Sequence, residues 1–427
     1  MSPADPSAAR RAIEAIWHLE AARVIGRVAR LVRNVGLAEE FAQDALVAAL
    51  EHWPANGVPA NPAAWLMTAA KRRALDHLRH EQVSAGKAVD IGRELDFRHE
   101  VAAAELADQV DDRLDDEIGD DLLRLIFTAC HPLLSPEARC ALTLRLMGGL
   151  TTDEIARAYL KPEPTIAQRI VRAKRTLAEA RVPFEVPHGA ELLRRQGPVL
   201  EVIYLIFNEG YAATSGADWM RPALCEEALR LGRVLAGLLP SEGEVLGLVA
   251  LMEIQASRFA ARTSPAGEPV LLLEQDRSRW DRLLIRRGLA ALAQAEALPG
   301  PLGPYALQAA IAACHARATS AEGTDWARIA ALYDGLAEIA SSPVVSLNRA
   351  VAVAMAFGPA AGLEIVDGLL AEPGLRNYHL LPSVRGDLLA RLDRPDEARA
   401  EFERAARLTH NARERALLLA RAGRCRV

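Results

Sequence analysis

Apolar residues recur at three- and four-residue intervals along most of this 427-residue chain, and proline or glycine interrupts each run. That spacing places apolar side chains on one face of a helix, whereas a half-buried strand would show alternation. From residue 190 onward the pattern is one helix after another, separated by Pro/Gly turns. Aromatic residues make up only 5% of the chain, which also favours helices over sheets. The sequence therefore predicts an all-α protein.

The distribution of charge divides the first 182 residues. Residues 83–121 contain 4 basic and 13 acidic residues, whereas residues 122–182 contain 10 basic and 5 acidic residues. A basic segment that follows an acidic one suggests that the basic segment binds an anion. We expect a helical domain over 10–82, an acidic linker over 83–121, a second helical domain over 122–182, a helical extension over 188–300, and repeats over 301–427.

The repeats are inferred from a weak period in the last third of the chain. Asp325, Pro359 and Pro395 each stand at the start of a similar predicted helix, 34 and 36 residues apart. A period near 34 residues is typical of tetratricopeptide helix pairs. Because the helix-pair motif is degenerate here, we describe this segment as tetratricopeptide-like.

The predicted helix over 61–80 separates an apolar face from a mainly basic one. Asn61 is placed to cap this helix, and Pro62 occupies its first position. Basic side chains attract phosphates, and an aromatic residue can stack on bases. The alternative is a solvated charged face with Trp65 in the core. The candidate nucleic-acid residues of this helix are Trp65, Lys71, Arg72, Arg73, Asp76, His77 and Arg79.

A helix-turn-helix is predicted over 152–180. Thr151 and Glu154 match a capping box at the start of its first helix, and Leu160-Lys161-Pro162 forms the turn. In the helix that begins near Pro164, the side chains left for solvent or DNA are Thr165, Gln168, Arg169, Arg172, Lys174 and Arg175. The first three could reach base edges, and the last three are placed for phosphates. Helical hairpins of repeat proteins can imitate this motif, but the basic charge of the segment favours DNA.

These segments together resemble the two conserved domains of extracytoplasmic-function sigma factors, the promoter-recognition subunits of bacterial RNA polymerase. The resemblance rests on EEFAQDA at 39–45, PAAWL at 62–66, DHLR at 76–79, and the segment from LSPE at 134–137 to Leu177. It implies that the first domain reads the −10 promoter element, with Asn56 and Asn61 near a flipped base, and that the second domain reads the −35 element. It also implies that the acidic linker runs toward the polymerase active centre.

The same resemblance implies contacts with core RNA polymerase, at the clamp helices of its largest subunit and at its flap. The clamp-binding residues would be Glu39, Glu40, Gln43 and Asp44. A simpler explanation of these acids is that they suit the positive end of a helix dipole.

The C-terminal half narrows the resemblance to a subgroup with a tetratricopeptide-like extension. FNEGY at 207–211 and CEEALRL at 225–231 carry this resemblance, which suggests that the extension regulates the protein, through a regulatory protein or a ligand. Asn208, Glu209 and Tyr211 either cap and hydrogen-bond the core or form a small polar pocket. Cys130 and His131 have no partner ligands nearby in sequence, so we expect no metal there.

Other functional classes are less well supported by the sequence. A stand-alone helix-turn-helix regulator with an interaction array is the alternative, but it would need neither the acidic cluster nor the helix over 61–80. We see no paired-carboxylate, phosphate-loop or Ser/His/Asp arrangement in the C-terminal half, so we expect no enzyme and no cofactor. Scattered cysteines, and the lack of a signal core or a membrane-length apolar run, predict a cytoplasmic protein without membrane contact.

Overall fold

The computed structural model describes residues 6–84, 121–159, 161–212, 220–265 and 268–425. Most of the predicted acidic linker over 83–121 lies outside these residues. The described part of the chain consists of helices, short 3₁₀ turns and one isolated bridge between Thr263 and Pro269. The helices are α1 Pro6–Val32, α2 Val35–Asn56, α3 Pro62–Ser84, α4 over 121–129, α5 Pro136–Leu146, α6 Thr152–Tyr159, α7 Glu163–Glu179, α8 Ala190–Tyr211, α9 Pro222–Leu238, α10 Gly243–Ala256, α11 Arg282–Ala297, α12 Pro304–Arg317, α13 Trp326–Ile339, α14 Pro343–Phe357, α15 Pro359–Gly368, α16 Leu380–Arg391, α17 Pro395–Leu408 and α18 Ala412–Arg424.

The chain divides into two compact units, Met1–Val202 and Ile203–Val427, and helix α8 contributes residues to both. In the first unit, α1, α2 and α3 pack on one another. Their core includes Val28 of α1, Ala45 of α2 and Ala70 of α3, each fully buried. The small alanines let the helices approach closely, because helix separation depends on the side chains at the contact.

The end of α2 differs from the sequence prediction. The Pro, Asn and Gly residues over 54–60 predict a loop, but α2 continues through Pro54 to Asn56. The helix ends at Gly57, whose φ of 83° lies in the left-handed region and whose N–H donates to the Trp53 carbonyl at 2.8 Å. A proline tolerated in the last turn removes one backbone hydrogen bond without ending the helix there. The connection to α3 is therefore shorter than predicted.

The second unit is centred on α10, which is buried along most of its length and packs against α11 and α12. A Cβ on Gly288 of α11 would lie 2.6 Å from Ile254 of α10, so a larger residue there would push the two helices apart. Beyond α12 the chain forms the helix pairs α13–α14, α15–α16 and α17–α18. Their first helices begin at Trp326, Pro359 and Pro395, where the sequence period placed them.

The helical architecture confirms the predicted fold class. In the described part of the chain, no helix combines the length and the apolar character that a bilayer crossing would require.

Candidate nucleic-acid interface

The helix-turn-helix forms as its sequence predicts. Thr151 and Glu154 make a reciprocal capping box, in which the Glu154 N–H donates to Thr151 Oγ1 at 3.1 Å and the Thr151 N–H donates to Glu154 Oε2 at 2.7 Å. The second helix, α7, buries a stripe that holds it against the rest of the domain, namely Ile166, Ile170, Ala173 and Leu177. Its opposite face is therefore free to enter a groove.

The predicted −35 residues on α7 differ in exposure. Four of them are exposed, Thr165, Gln168, Arg172 and Arg175, and Arg169 is half-buried. Lys174 faces the first domain instead, because its Nζ donates to Glu39 Oε2 at 2.6 Å. The structure thus places five of the six side chains where a duplex could reach them.

Helix α3 presents the predicted basic face. Arg72, Arg73, Asp76 and Arg79 are exposed, as are Asn56 and Asn61 before the helix, and Lys71 is half-buried. Asn61 accepts a hydrogen bond from the Ala64 N–H at 3.1 Å, which confirms it as the cap. Two charges on this face are paired on the surface, Arg73 with Asp44 at 2.9 Å and Arg79 with Asp76 at 3.3 Å.

Two aromatic residues of α3 correct the predicted division of its faces. His77 was assigned to the polar face, but it is half-buried and its ring lies 5.3 Å from that of Phe41. Trp65 is also half-buried and meets Trp53 edge to face at 5.4 Å. The buried side of α3 is centred on Leu66, Ala70 and Ala74.

The acidic cluster on α2 is divided between the core and the surface. Glu39 is only 2% exposed, and its carboxylate accepts from Arg145 Nε at 2.6 Å, from Lys174 Nζ and from Gln43. Glu40 is exposed, and Asp44 is half-buried in its surface pair with Arg73. Sequence reasoning missed Arg145, because α5 gave no hint that one of its cations meets an acid more than a hundred residues away.

The FNEGY segment is packed and ion-paired. Glu209 is buried and forms a short ion pair with Arg221. Tyr211 stacks on Phe207 at 5.7 Å, and the guanidinium of Arg262 lies 3.5 Å from the centre of the Tyr211 ring. These contacts fit a core-capping role for Glu209, and they place a buried cation beside Tyr211.

Cys130 and His131 carry no reactive arrangement in the described residues. Burial raises the pKa of the Cys130 thiol to about 11, and its Sγ lies 3.4 Å from Thr143 Oγ1. Burial lowers the pKa of the half-buried His131. A thiol with such a high pKa is protonated at neutral pH and is a poor nucleophile or metal ligand.

Comparison with known proteins finds family matches for both helical domains of the first unit. Residues 17–83 match the family model of sigma-70 region 2, and residues 124–177 match that of sigma-70 region 4. The ECF RNA polymerase sigma factor SigK of Mycobacterium ulcerans (strain Agy99) is 32% identical over 159 residues, which are 36% of this chain and 78% of that protein. The chain belongs to the ECF RNA polymerase sigma factors. The predicted resemblance is thus confirmed, and the protein is a sigma factor for transcription initiation.

Two further relatives differ in how much of this sigma factor they match. A probable ECF sigma factor, SigI of Mycobacterium tuberculosis (strain CDC 1551 / Oshkosh), is 27% identical over 186 residues, 44% of this chain and 59% of that protein. An uncharacterised protein of Rhizobium meliloti (strain 1021) is 42% identical over 397 residues, 93% of this chain and 92% of that protein. Residues 195–296 match a family of unknown function, DUF6596. As a sigma factor, the chain acts with core RNA polymerase and promoter DNA.

Proposed function

We propose that this sigma factor reads the −35 element with α7, reads and melts the −10 element with α3, and docks on the polymerase clamp helices through its acidic cluster. The observation that carries the proposal is the division of α7 into a buried apolar stripe and an exposed face with Gln168, Arg172 and Arg175. Such a helix can lie in the major groove with its core contacts intact. The polymerase flap is the second expected contact, on region 4.

The residues of α7 fall into two groups, according to the part of the DNA that each would contact. Thr165, Gln168 and Arg169 stand near the N-terminus of the helix, where side chains meet base edges, and a bidentate contact there would discriminate between bases by roughly 1–3 kcal/mol. Arg172 and Arg175 lie further along and would hold phosphates, which fix the register without reading sequence. Lys174 would bind a phosphate only after its ion pair with Glu39 has broken.

Helix α3 supplies the −10 contacts. Arg72, Arg73 and Arg79 present cations to the phosphate backbone, and Asn56 and Asn61 stand beside the connection that precedes the helix. Lys71, Asp76 and His77 complete the set, and Trp65 is available to stack on an unpaired base.

The polymerase contact is assigned to Glu39, Glu40, Gln43 and Asp44. We assign regulation to the C-terminal helical unit, which would receive a regulatory protein or a ligand. The two proposed promoter-binding domains span 10–82 and 122–182, and the proposed acidic linker over 83–121 joins them. The extension over 188–300 and the tetratricopeptide-like repeats over 301–427 follow.

In vitro transcription with core polymerase and the full chain on a promoter library tests these assignments. Gln168→Ala should relax base preference within the −35 element, whereas Arg172→Ala should weaken promoter binding equally for all sequences and reduce its salt dependence. Arg286→Ala, an exposed substitution on α11, serves as the control. An unchanged −35 preference in Gln168→Ala, with transcription intact, would refute the assignment of α7.

A further inference from the structure

The exposed face of α7 carries a branched apolar side chain, that of Val171. This valine is 59% exposed, whereas the residues of the buried stripe of α7 are at most 5% exposed. Exposed apolar residues are common on protein surfaces, so the exposure of Val171 alone does not indicate a function. Its position on the helix decides what it can contact.

Val171 lies on the outermost line of α7. Residues three or four positions apart share one face of a helix, so a single line of side chains runs along the face opposite the buried stripe. This line consists of Pro164, Gln168, Val171 and Arg175, all of which are exposed. When a helix of this kind lies in a major groove, the outermost line points at the base edges.

The folding of α7 does not account for a valine at this position. Valine is a poorer helix former than alanine, arginine or lysine, because its branched Cβ restricts the χ1 angle. Its exposed methyl groups are hydrated in the free protein, and only burial against another apolar group would gain free energy from them. The side chain therefore indicates a contact that α7 makes outside its own domain.

The major groove offers an apolar group at one type of base. Adenine, guanine and cytosine present hydrogen-bond donors and acceptors there, and thymine alone adds a C5-methyl group. Apolar side chains recognise thymine by contact with this methyl group. Such a contact removes apolar surface of both partners from water.

We propose that Val171 is a specificity-determining residue of the −35 contact, which recognises a thymine through its C5-methyl group. The proposal rests on the proposed function, in which α7 lies in the major groove of the −35 element. Gln168 and Val171 are about 4.5 Å apart along the helix axis, and base pairs are about 3.4 Å apart. The thymine therefore lies one or two base pairs from the pair that Gln168 contacts.

Selection from a promoter library with a randomised −35 element locates this base pair. The DNA bound by the full chain with core polymerase is sequenced for the unsubstituted chain, for Val171→Ala and for Gln168→Ala. We expect the unsubstituted chain to select a thymine that Val171→Ala no longer selects, close to the position whose preference Gln168→Ala relaxes. Val171→Ala should fold normally, because alanine is the better helix former and Val171 lies outside the buried stripe.

Deoxyuridine separates the methyl group from the rest of the thymine base. It keeps the hydrogen-bonding groups of thymine and lacks only the C5-methyl group. Replacing the selected thymine by deoxyuridine should weaken promoter binding about fourfold, the effect expected for one buried methyl group. Val171→Ala should bind the thymine promoter more weakly by at least this factor and should not distinguish thymine from deoxyuridine. This loss of additivity is the signature of a direct contact between the side chain and the methyl group.

Leu283→Ala is the matched control. Leu283 is 52% exposed on α11, outside the helix-turn-helix, so its truncation removes a similarly exposed apolar side chain. This variant should select the same −35 element as the unsubstituted chain and should show the same fourfold effect of deoxyuridine.

The outcomes separate the role of Val171 from that of α7. Equal binding of thymine and deoxyuridine by the unsubstituted chain at every position of the element overturns the proposal, as does a deoxyuridine effect that persists in Val171→Ala. Weaker binding of Val171→Ala to core polymerase without DNA would assign the side chain to the polymerase instead. If Gln168→Ala relaxes the −35 preference and Val171→Ala does not, only the role of Val171 fails. If neither variant changes the preference, the placement of α7 in the −35 element fails as well.

Discussion

Glu39 in the first unit and Arg258 in the second are both buried charges, but the groups that surround them differ. Glu39 has two cations within 2.6 Å, both supplied by a region far away in sequence. Arg258 has aromatic rings and other arginines around it, and no carboxylate among the described residues. The first arrangement satisfies a charge by bringing two domains of the chain together. The second surrounds a buried guanidinium with the rings of Tyr211 and Trp280.

The second unit is able to pair a buried charge where the fold requires it. Glu253 of α10 is 2% exposed, and its Oε1 lies 2.8 Å from Arg233 Nε and 3.9 Å from Arg287 Nε. Both arginines reach it from neighbouring helices and remain partly exposed. The lack of a carboxylate beside Arg258 is therefore a property of that site and not of the whole unit.

The largest effect is expected when Glu253 loses both cations. Arg233→Met combined with Arg287→Met should lower the free energy of unfolding of this unit by about 3–5 kcal/mol, because it strands a buried carboxylate. Urea unfolding followed by circular dichroism measures the loss. Adding Glu253→Met should recover most of it, and Arg286→Met alone should cost little. A loss below about 1 kcal/mol would show that Glu253 reaches water, and the contrast with Arg258 would weaken.

Local rules predicted much of the sigma half. The capping box at Thr151, the cap at Asn61 and the buried stripe of α7 follow from side-chain hydrogen bonding and helical periodicity, and each requires only residues a few positions apart. The start points of α13, α15 and α17 follow from a repeat that is visible in the sequence. The candidate nucleic-acid faces of α3 and α7 were predictable for the same reason.

The charged contacts could not be predicted in this way. Nothing local to Arg145 or Lys174 indicates that both meet Glu39, since the contact depends on how two domains pack. The buried position of Arg258 likewise depends on Tyr211 and Trp280, which come from separate segments. Pro54 was predicted to lie in a loop but lies in α2, because tertiary packing outweighed its tendency to break a helix. His77 was predicted on the polar face but is half-buried, because packing against Phe41 outweighed its polarity. Contacts between residues far apart in the sequence are thus the part of the structure that the sequence pattern does not predict.

A smaller effect is expected from His315, which stands beside the same arginines. Its ring meets Trp326 edge to face at 5.1 Å, and its Nδ1 is buried without a hydrogen-bond partner among the described residues. Burial, followed by the charges of Arg258 and Arg277, lowers the pKa of His315 to about 4. In the unfolded chain the ordinary pKa of histidine is near 6.5, so the unfolded form binds a proton in this window that the folded form does not.

Stability should therefore fall as pH decreases from about 6.5 to 4, by up to about 3 kcal/mol from this group. His315→Phe, which keeps a ring against Trp326, should lack this component, so the difference between the two unfolding curves isolates it from other titrating groups. An NMR titration of the His315 ring measures its pKa directly. If His315→Phe follows the same pH dependence as the unsubstituted chain, the pKa of His315 is not lowered in the folded protein.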